Sequence, residues 1–423
     1  MLKLKLTPRT TAAIMTAAIA TGISLYATRS EAVLQDSPKQ LVDEAWQIVY
    51  REYVDRTFNH NDWLVVRQKY LRDSYGSQQQ AYQAIREMLD KLQDPYTSFL
   101  DPQQIKNLMN DVSGDFIGIG LTVAVDQRTK EWIVVTPFKG APAASAGILP
   151  EDVIVKINGQ STPEIDTRQA SKYLLGPVGS QVFLTIRRGN QELNFKLTRE
   201  HIDLHPLTYR LQDTAVGKIG YIYLPVFTSK SAEAMRNAIQ ALEKQNVKGY
   251  ILDLRTNPGG ILDTSLEIAR MWLSKGTVVS IIDYQGKKDR FAARHQALTD
   301  KPLQVLVDND SASASEILAG ALQDNHRATL VGTRTFGKGL VQSLEALEDG
   351  SGVKITIARY YTPKGRDINK VGIAPDVVVP LTDEQRAALI QDQAIATPAD
   401  PQYVRALANL TQAIQARLIK AKS

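Results

Sequence analysis

Apolar strand-like segments alternate with helical segments through the middle of this chain, and this alternation limits its fold more than any other feature. The strand-like segments are residues 219–224, 250–254, 278–282, 305–307 and 328–331. Residues 232–244 and 262–273 lie between them and have apolar side chains at helical spacing. Strands that alternate with helices are typical of an α/β core built on crossover connections. The sequence therefore predicts such a core.

The regions on either side of this core have different patterns. Residues 33–104 carry apolar side chains at three- and four-residue steps, and one of the predicted helices stops before Asp94-Pro95. Residues 112–199 contain short apolar segments separated by Gly, Pro and Asn turns, which indicates a compact β-rich module. Residues 382–423 are helical in pattern and rich in Ala and Gln. We expect a helical N-terminal unit, a β-rich module, the core and a helical C-terminal segment.

Composition excludes several functions. The chain has 423 residues, with 43% hydrophobic and 22% charged side chains, which suits a multi-domain globular protein. The net charge is +5, but the Lys and Arg residues are scattered among 45 acidic residues and do not form a basic patch. We therefore expect no nucleic-acid partner. The absence of cysteine excludes disulfides, thiolate catalysis and cysteine-based zinc sites. We expect neither a metal nor a cofactor.

The N-terminus has the pattern of an export signal. Lys3, Lys5 and Arg9 precede a small-residue apolar stretch at 11–25, and the stretch is followed by Ser30-Glu31-Ala32. This pattern predicts a cleavable signal over residues 1–32. The alternative is a retained membrane tether, but the stretch is shorter than the ~20 residues that a spanning helix needs.

A serine-rich turn is the first candidate for catalysis. Ser311-Ala312-Ser313-Ala314-Ser315-Glu316-Ile317 follows the apolar segment 305–307 directly and opens a predicted helix. Amides at the N-terminus of a helix stabilise negative charge on a bound oxygen, so this turn could hold a nucleophile. The alternative is an ordinary serine cap.

A serine nucleophile needs a base, which is either a histidine or a lysine kept neutral by burial. The five histidines fit poorly by position: His60, His201, His205, His295 and His326. Lys338 follows the segment 328–331, and the glycines on both sides of it allow close backbone approach. Burial, and the expected absence of a nearby carboxylate, would lower its pKa. The alternative is a solvated loop lysine.

A glycine loop follows another core strand. Pro258-Gly259-Gly260 comes shortly after the segment 250–254 and just before a helix. Free amides in such a loop can bind an oxyanion, although many strands simply end in glycine turns.

These segments together resemble the carboxyl-terminal processing peptidases, also called tail-specific proteases. The matching segments are residues 89–100, 118–121, 253–260, 311–317, 337–342, 361–363 and 372–376. Residues 59–63 and 319–325 resemble members from cyanobacteria and plastids in particular.

The resemblance implies roles for individual residues. Ser313 would be the nucleophile and Lys338, 25 positions further on, the base. Gln342, one helical turn beyond Lys338, would orient the lysine. The oxyanion amides would be those of Ala314 and Gly260, with Gly259 as the alternative to Gly260. Three further residues would support the site, or else form an ordinary buried ion network: Arg255, Glu316 and Asp324.

The resemblance also implies a crotonase-like α/β core with an inserted PDZ domain. The expected units are an export signal (1–32), a helical unit (33–104), a PDZ domain (105–200), the catalytic core (201–381) and a helical segment (382–423). A PDZ domain adds a peptide as a strand and binds its terminal carboxylate on loop amides. That loop would be Phe116-Ile117-Gly118-Ile119-Gly120, and the segment 167–175 would be the other groove wall.

The expected activity is that of a serine endopeptidase acting on exported proteins with apolar C-termini. Maturation of the photosystem II reaction-centre precursor, in the periplasm or thylakoid lumen, is one task that the resemblance implies. The alternatives are a general periplasmic tail-specific protease, an inactive PDZ scaffold, and an acyl-CoA enzyme suggested by the fold alone. Membrane-surface association and the oligomeric state stay open.

Overall fold

The computed structural model describes residues 2–4, 38–125, 131–138, 140–165, 173–203, 206–391 and 394–420. It contains two compact units, of which the larger is Met1–Leu108 with Pro206–Ser423 and the smaller is Met109–His205. Apart from a short strand β1 (Leu2–Leu4), the predicted export signal lies outside the described residues. None of the helices in those ranges combines the length and the apolar character needed to cross a membrane.

The larger unit begins with a cluster of helices. These are α1 (Pro38–Glu52), α2 (Trp63–Arg72) and α3 (Gln78–Asp90), followed by strand β2 (Ser98–Leu100) and helix α4 (Pro102–Ser113). Asp62 caps α2 because its side chain accepts the amides of Leu64 and Val65. The indole of Trp46 donates to the carbonyl of Trp63 at 2.7 Å, which joins α1 to the start of α2.

A six-stranded sheet forms the centre of this unit. In sheet order its strands are β11 (Thr208–Thr214), β12 (Gly217–Tyr223), β13 (Tyr250–Asp253), β16 (Leu303–Val307), β17 (Thr329–Gly332) and β20 (Val377–Val378). The pairs from β12 to β20 are parallel, and only β11 pairs antiparallel in this sheet. Parallel strands need crossover connections, so the alternating pattern of the sequence correctly predicts this arrangement.

Helices cover both faces of the parallel sheet. Helices α6 (Ser231–Lys244), α7 (Leu262–Trp272) and α8 (Ala314–Asp324) pack with Leu252 and Val305 in one buried cluster. Helix α10 (Pro401–Lys420) packs against the other face, where Ile251 and Leu306 are buried. Because consecutive residues of a strand point to opposite faces, each central strand contributes to both layers. A short helix, α9 (Asp383–Gln391), precedes α10.

A second sheet lies in the same unit. It contains β1 and β2 together with β14 (Thr277–Asp283), β15 (Lys288–Ala292), β18 (Leu340–Ala346) and β19 (Gly352–Tyr361). Strand β14 pairs antiparallel with both β15 and β19. The expectation that segment 278–282 is a strand of the crossover core is therefore wrong, because it lies in this second sheet.

The smaller unit is β-rich. One of its sheets has the order β4 (Leu121–Val125), β5 (Trp132–Pro137), β6 (Val153–Ile157), β8 (Gln181–Arg188) and β9 (Gln191–Thr198), with β7 (Gln160–Ser161) paired to β6. Strands β3 (Asp115–Gly118) and β10 (Glu200–Asp203) form a separate antiparallel pair. A short helix α5 (Pro142–Ser145) follows β5. Most of the predicted helical segment 167–175 lies outside the described residues.

Candidate active site

Ser313 lies at a strained turn between β16 and α8. It is the residue that precedes the helix, and its backbone angles are φ +57° and ψ −112°. A positive φ is unusual for a residue with a side chain, and such strain concentrates at functional sites. Ser313 is 1% exposed, and its Oγ has no hydrogen-bond partner among the described residues. A buried hydroxyl without a partner is itself costly, which points to a functional role.

The hydroxyls of the two neighbouring serines are already engaged. The Ser311 Oγ donates to the carbonyl of Leu254 at 2.7 Å. The Ser315 Oγ donates to the carbonyl of Asn257 at 2.9 Å. Of these serines, only Ser313 has a hydroxyl that is unpaired within the described part of the chain. The structure thus separates three residues that the sequence pattern alone leaves equivalent.

Glu316 is a buried carboxylate that joins the serine turn to the lysine loop. Its Oε2 accepts the backbone amides of Ser313 at 2.8 Å and Lys338 at 2.9 Å. Its Oε1 accepts the Thr335 hydroxyl at 2.6 Å and the Gly337 amide at 2.7 Å. Burial raises the pKa of Glu316, whereas these hydrogen bonds oppose that change. Glu316 therefore holds the backbones of the two loops together.

Lys338 is half-buried, and its Nζ lies 4.6 Å from the centre of the Tyr96 ring. It forms no hydrogen bond to Ser313, whose Oγ is unpaired within the described ranges. Burial lowers the pKa of Lys338, and Lys354 lowers it further. Asp94 and Glu316 act in the opposite direction. The expectation that no carboxylate lies near Lys338 is therefore wrong, although burial still dominates.

Gln342 lies in strand β18 and is 2% exposed. The expectation that it lies one helical turn beyond Lys338 is wrong, because the chain is extended at this point. Its Nε2 lies 3.5 Å from the Thr356 Oγ1 on the adjacent strand β19, which is a long hydrogen bond. In an extended strand, residues four apart are further from each other than in a helix. The contact that Gln342 makes with Thr356 is therefore a contact between adjacent strands of the sheet.

The glycine loop lies against the serine turn. A Cβ placed on Gly259, which has φ +102°, would lie 2.8 Å from the Ser313 Cβ and 2.9 Å from the Ala314 nitrogen. The Gly259 amide donates to the Asn257 Oδ1 at 2.8 Å. The amides of Gly260 and Ala314 donate to no acceptor among the described residues. These amides are therefore available to a bound oxygen atom.

The other two predicted supporting residues have different surroundings. Arg255 is buried and forms ion pairs with Asp253 at 2.6 Å and Asp400 at 2.8 Å. Asp324 is the last residue of α8, where it pairs with Arg366 and accepts the amide of Lys364. Asp324 thus lies at the opposite end of the helix from Ser313.

The predicted carboxylate-binding loop lies in the smaller unit, between strands β3 and β4. Ile119 is buried, and its carbonyl accepts the Ala143 amide at 2.9 Å. Gly120 has φ +73°, and a Cβ there would lie 2.2 Å from the Ala141 Cβ, so glycine is required. The Gly120 amide has no acceptor within the described ranges, whereas Gly118 forms an isolated antiparallel bridge with Leu175. The loop leads into β4, which is an edge strand of its sheet.

Sequence reasoning assigned no role to Tyr96, Asn257 or Thr335, which all contact the site. Tyr96 lies within the Asp94-Pro95-Tyr96-Thr97 segment that contributes to the family resemblance. Asn257 accepts the amide of Ala312 at 3.0 Å and so joins the glycine loop to the serine turn. Tyr96 follows Pro95, Asn257 precedes Pro258, and Thr335 lies two residues before Gly337, so each belongs to a turn that the sequence pattern marks.

Comparisons with known proteins identify the class of this protein as a serine-type peptidase. Residues 218–379 match the model for peptidase family S41, and residues 133–188 match that for the PDZ domain. A carboxyl-terminal-processing protease from Synechocystis is 42% identical over 394 residues, with 92% of this chain and 91% of the relative covered. The chain belongs to the carboxyl-terminal-processing proteases of peptidase family S41.

Other comparisons agree with this family. Carboxyl-terminal-processing peptidase 2, chloroplastic, from Arabidopsis thaliana is 41% identical and covers 80% of this chain and 68% of its own length. A solved structure of the photosystem II D1 C-terminal processing protease matches with a TM-score of 0.62 and 37% identity. It covers 88% of this chain and 97% of the solved one. The predicted mixed α/β fold, the PDZ domain and the protease activity are thus confirmed, and the substrates are proteins.

Proposed function

We propose that this protein cleaves protein substrates near their C-termini by using Ser313 as the nucleophile and Lys338 as the general base. The observation that carries the proposal is the state of the Ser313 hydroxyl, which is buried, unpaired among the described residues and held at a strained turn. The carboxylate of Glu316 holds the backbone of Lys338 close to that of Ser313. The flexible lysine side chain then supplies the remaining reach.

The reaction passes through an acyl-enzyme. The Ser313 oxygen attacks the scissile carbonyl while Lys338 accepts the hydroxyl proton. The oxyanion that forms is stabilised by the free amides of Ala314 and Gly260. Lys338 then donates its proton to the leaving amine, and water later releases the acyl group by the reverse sequence. Gln342 orients the lysine in this scheme.

A lysine can act as a base only when its amine is neutral. Burial of Lys338 lowers its pKa toward the working range, because desolvation disfavours the ammonium ion. Lys354 adds a like-charge repulsion in the same direction. The carboxylates of Asp94 and Glu316 oppose this decrease in pKa, but the pKa of Lys338 stays below that of an exposed lysine.

The PDZ domain binds the substrate's C-terminus. Strand β4 has a free edge among the described strands, so an extended peptide can pair with it. The preceding Phe116-Ile117-Gly118-Ile119-Gly120 loop offers the amide of Gly120 to the terminal carboxylate. Apolar side chains near the terminus fit a groove on such a sheet edge.

The three serines of the turn provide a direct test of the nucleophile. A fluorophosphonate probe should label the wild-type protein at Ser313, and Ser313→Ala should not be labelled. Ser311→Ala and Ser315→Ala should both be labelled, because their hydroxyls serve backbone carbonyls. Each should be less stable by about 1 kcal/mol or more. Mass spectrometry identifies the labelled residue, and labelling of Ser311 or Ser315 instead would contradict the assignment.

We also infer that the physiological substrate is the precursor of the photosystem II D1 protein, processed in the periplasm or thylakoid lumen after export. The support is the likeness to the photosystem II D1 C-terminal processing protease over 97% of that chain. A strain that lacks the gene should retain a C-terminal extension on D1, visible by mass spectrometry of C-terminal peptides. Fully processed D1 in that strain would contradict the assignment of D1 as the substrate. The substrates would then be other exported proteins.

A further inference from the structure

The turn Asp94-Pro95-Tyr96-Thr97 is anchored to the same sheet that carries Gln342. The Asp94 Oδ1 accepts the Tyr96 amide at 3.0 Å. Its Oδ2 accepts the Thr97 Oγ1 and the Thr356 Oγ1, each at 2.7 Å. Thr356 is also the neighbour of Gln342 at 3.5 Å. One carboxylate therefore fixes the turn internally and ties it to strand β19.

This anchored turn places the Tyr96 ring against the amine of Lys338. The 4.6 Å between Nζ and the ring centre is within the ~6 Å over which a cation is attracted to an aromatic face. The attraction acts on the ammonium ion, because the ring quadrupole interacts with charge. The half-buried ring therefore favours the protonated lysine over the neutral one.

The amine of Lys338 lies over this ring without a hydrogen bond to the nucleophile. The Ser313 Oγ has no partner in the described part of the chain, so the amine rests on Tyr96 and not on the serine. We propose that the Tyr96 ring is a holding site for the Lys338 ammonium, from which the amine moves to Ser313 once it has lost its proton. The inference rests on the proposed role of Lys338. It makes Tyr96 a positioning residue.

Other charged groups act on the same amine and must stay constant in a test. Glu316 on α8 and Asp94 in the turn attract the ammonium, whereas Lys354 on β19 repels it. A substitution confined to the ring leaves all three in place. Tyr96→Leu removes the aromatic face but keeps apolar bulk over the lysine, and Tyr96→Phe keeps both.

The test is the pH dependence of the rate at which a fluorophosphonate probe labels Ser313. In this proposal the ring stabilises the ammonium ion, so loss of the ring should lower the pKa of Lys338. We expect the acidic limb of the Tyr96→Leu profile to move to lower pH by roughly 0.5–1 unit. The Tyr96→Phe limb should stay at the wild-type position, because the phenyl face still attracts the ammonium.

An unchanged limb in Tyr96→Leu, or equal shifts in Tyr96→Leu and Tyr96→Phe, would overturn the holding site. Circular dichroism checks that each variant is folded. If Tyr96→Leu does not fold, Tyr96→Met replaces it in the same comparison. Failure of the catalytic proposal is recognised separately, because Lys338→Ala would then be labelled at the wild-type rate. With Lys338→Ala unlabelled and Tyr96→Leu unshifted, only the role of Tyr96 is lost.

Discussion

Lys338→Ala should lower kcat/KM for peptide cleavage by about 10²–10⁴-fold, since a positioned general base contributes that much. Lys338→Arg should be equally inactive, because the guanidinium keeps its proton at any working pH. The fold should survive both changes, since the backbone amide of residue 338 still donates to Glu316. The measurement is steady-state cleavage of a peptide with an apolar C-terminus.

Lys287→Ala is the matched control, because the Lys287 side chain is 69% exposed and lies on the surface. It should retain full activity. Lys338→Arg with more than about a tenth of the wild-type rate would show that no proton is taken by this residue, and the base would then be sought elsewhere.

Glu316→Gln should reduce both stability and activity. The carboxylate accepts four hydrogen bonds, two on each oxygen. A glutamine side chain has one acceptor oxygen, and its NH₂ group cannot accept a hydrogen bond. The two donors that face the NH₂ group would therefore lose their partner. Two lost buried partners cost roughly 2–5 kcal/mol in the free energy of unfolding. We expect kcat to fall by about 10²-fold, because small displacements of a reacting group are this costly.

Glu267→Gln, an exposed change on α7, controls for the loss of one negative charge. It should leave the thermal midpoint and the rate unchanged. A Glu316→Gln protein that unfolds and turns over like the wild type would refute the role of Glu316 in joining the two loops.

The sequence was sufficient for the main architecture but not for sheet membership. Continuous apolar runs such as 305–307 predict buried parallel strands, because both faces of such strands are covered. The run at 278–282 has the same character, yet β14 belongs to the antiparallel sheet. A buried strand has the same kinds of apolar side chains in either sheet. The spacing of apolar residues alone therefore cannot tell which of the two sheets a strand belongs to.

The candidate site was predictable in position but not in its partners. Glycine and serine patterns marked the loops that contain Ser313, Lys338 and Gly260. The choice of Ser313 over its neighbours depends on which carbonyls lie close to each hydroxyl, and these come from distant strands and loops. Tyr96 is remote from Lys338 in the chain, so only the folded structure brings its ring to the amine.

The shared Oε2 of Glu316 has a consequence for regulation. It fixes the main chain at both reacting residues, so the freedom left to the pair is in the side-chain torsions of Lys338. A regulator then has only to change the population of one rotamer, which needs a few kcal/mol at most. A change in that population would alter the approach of the amine to Ser313 without remodelling either sheet.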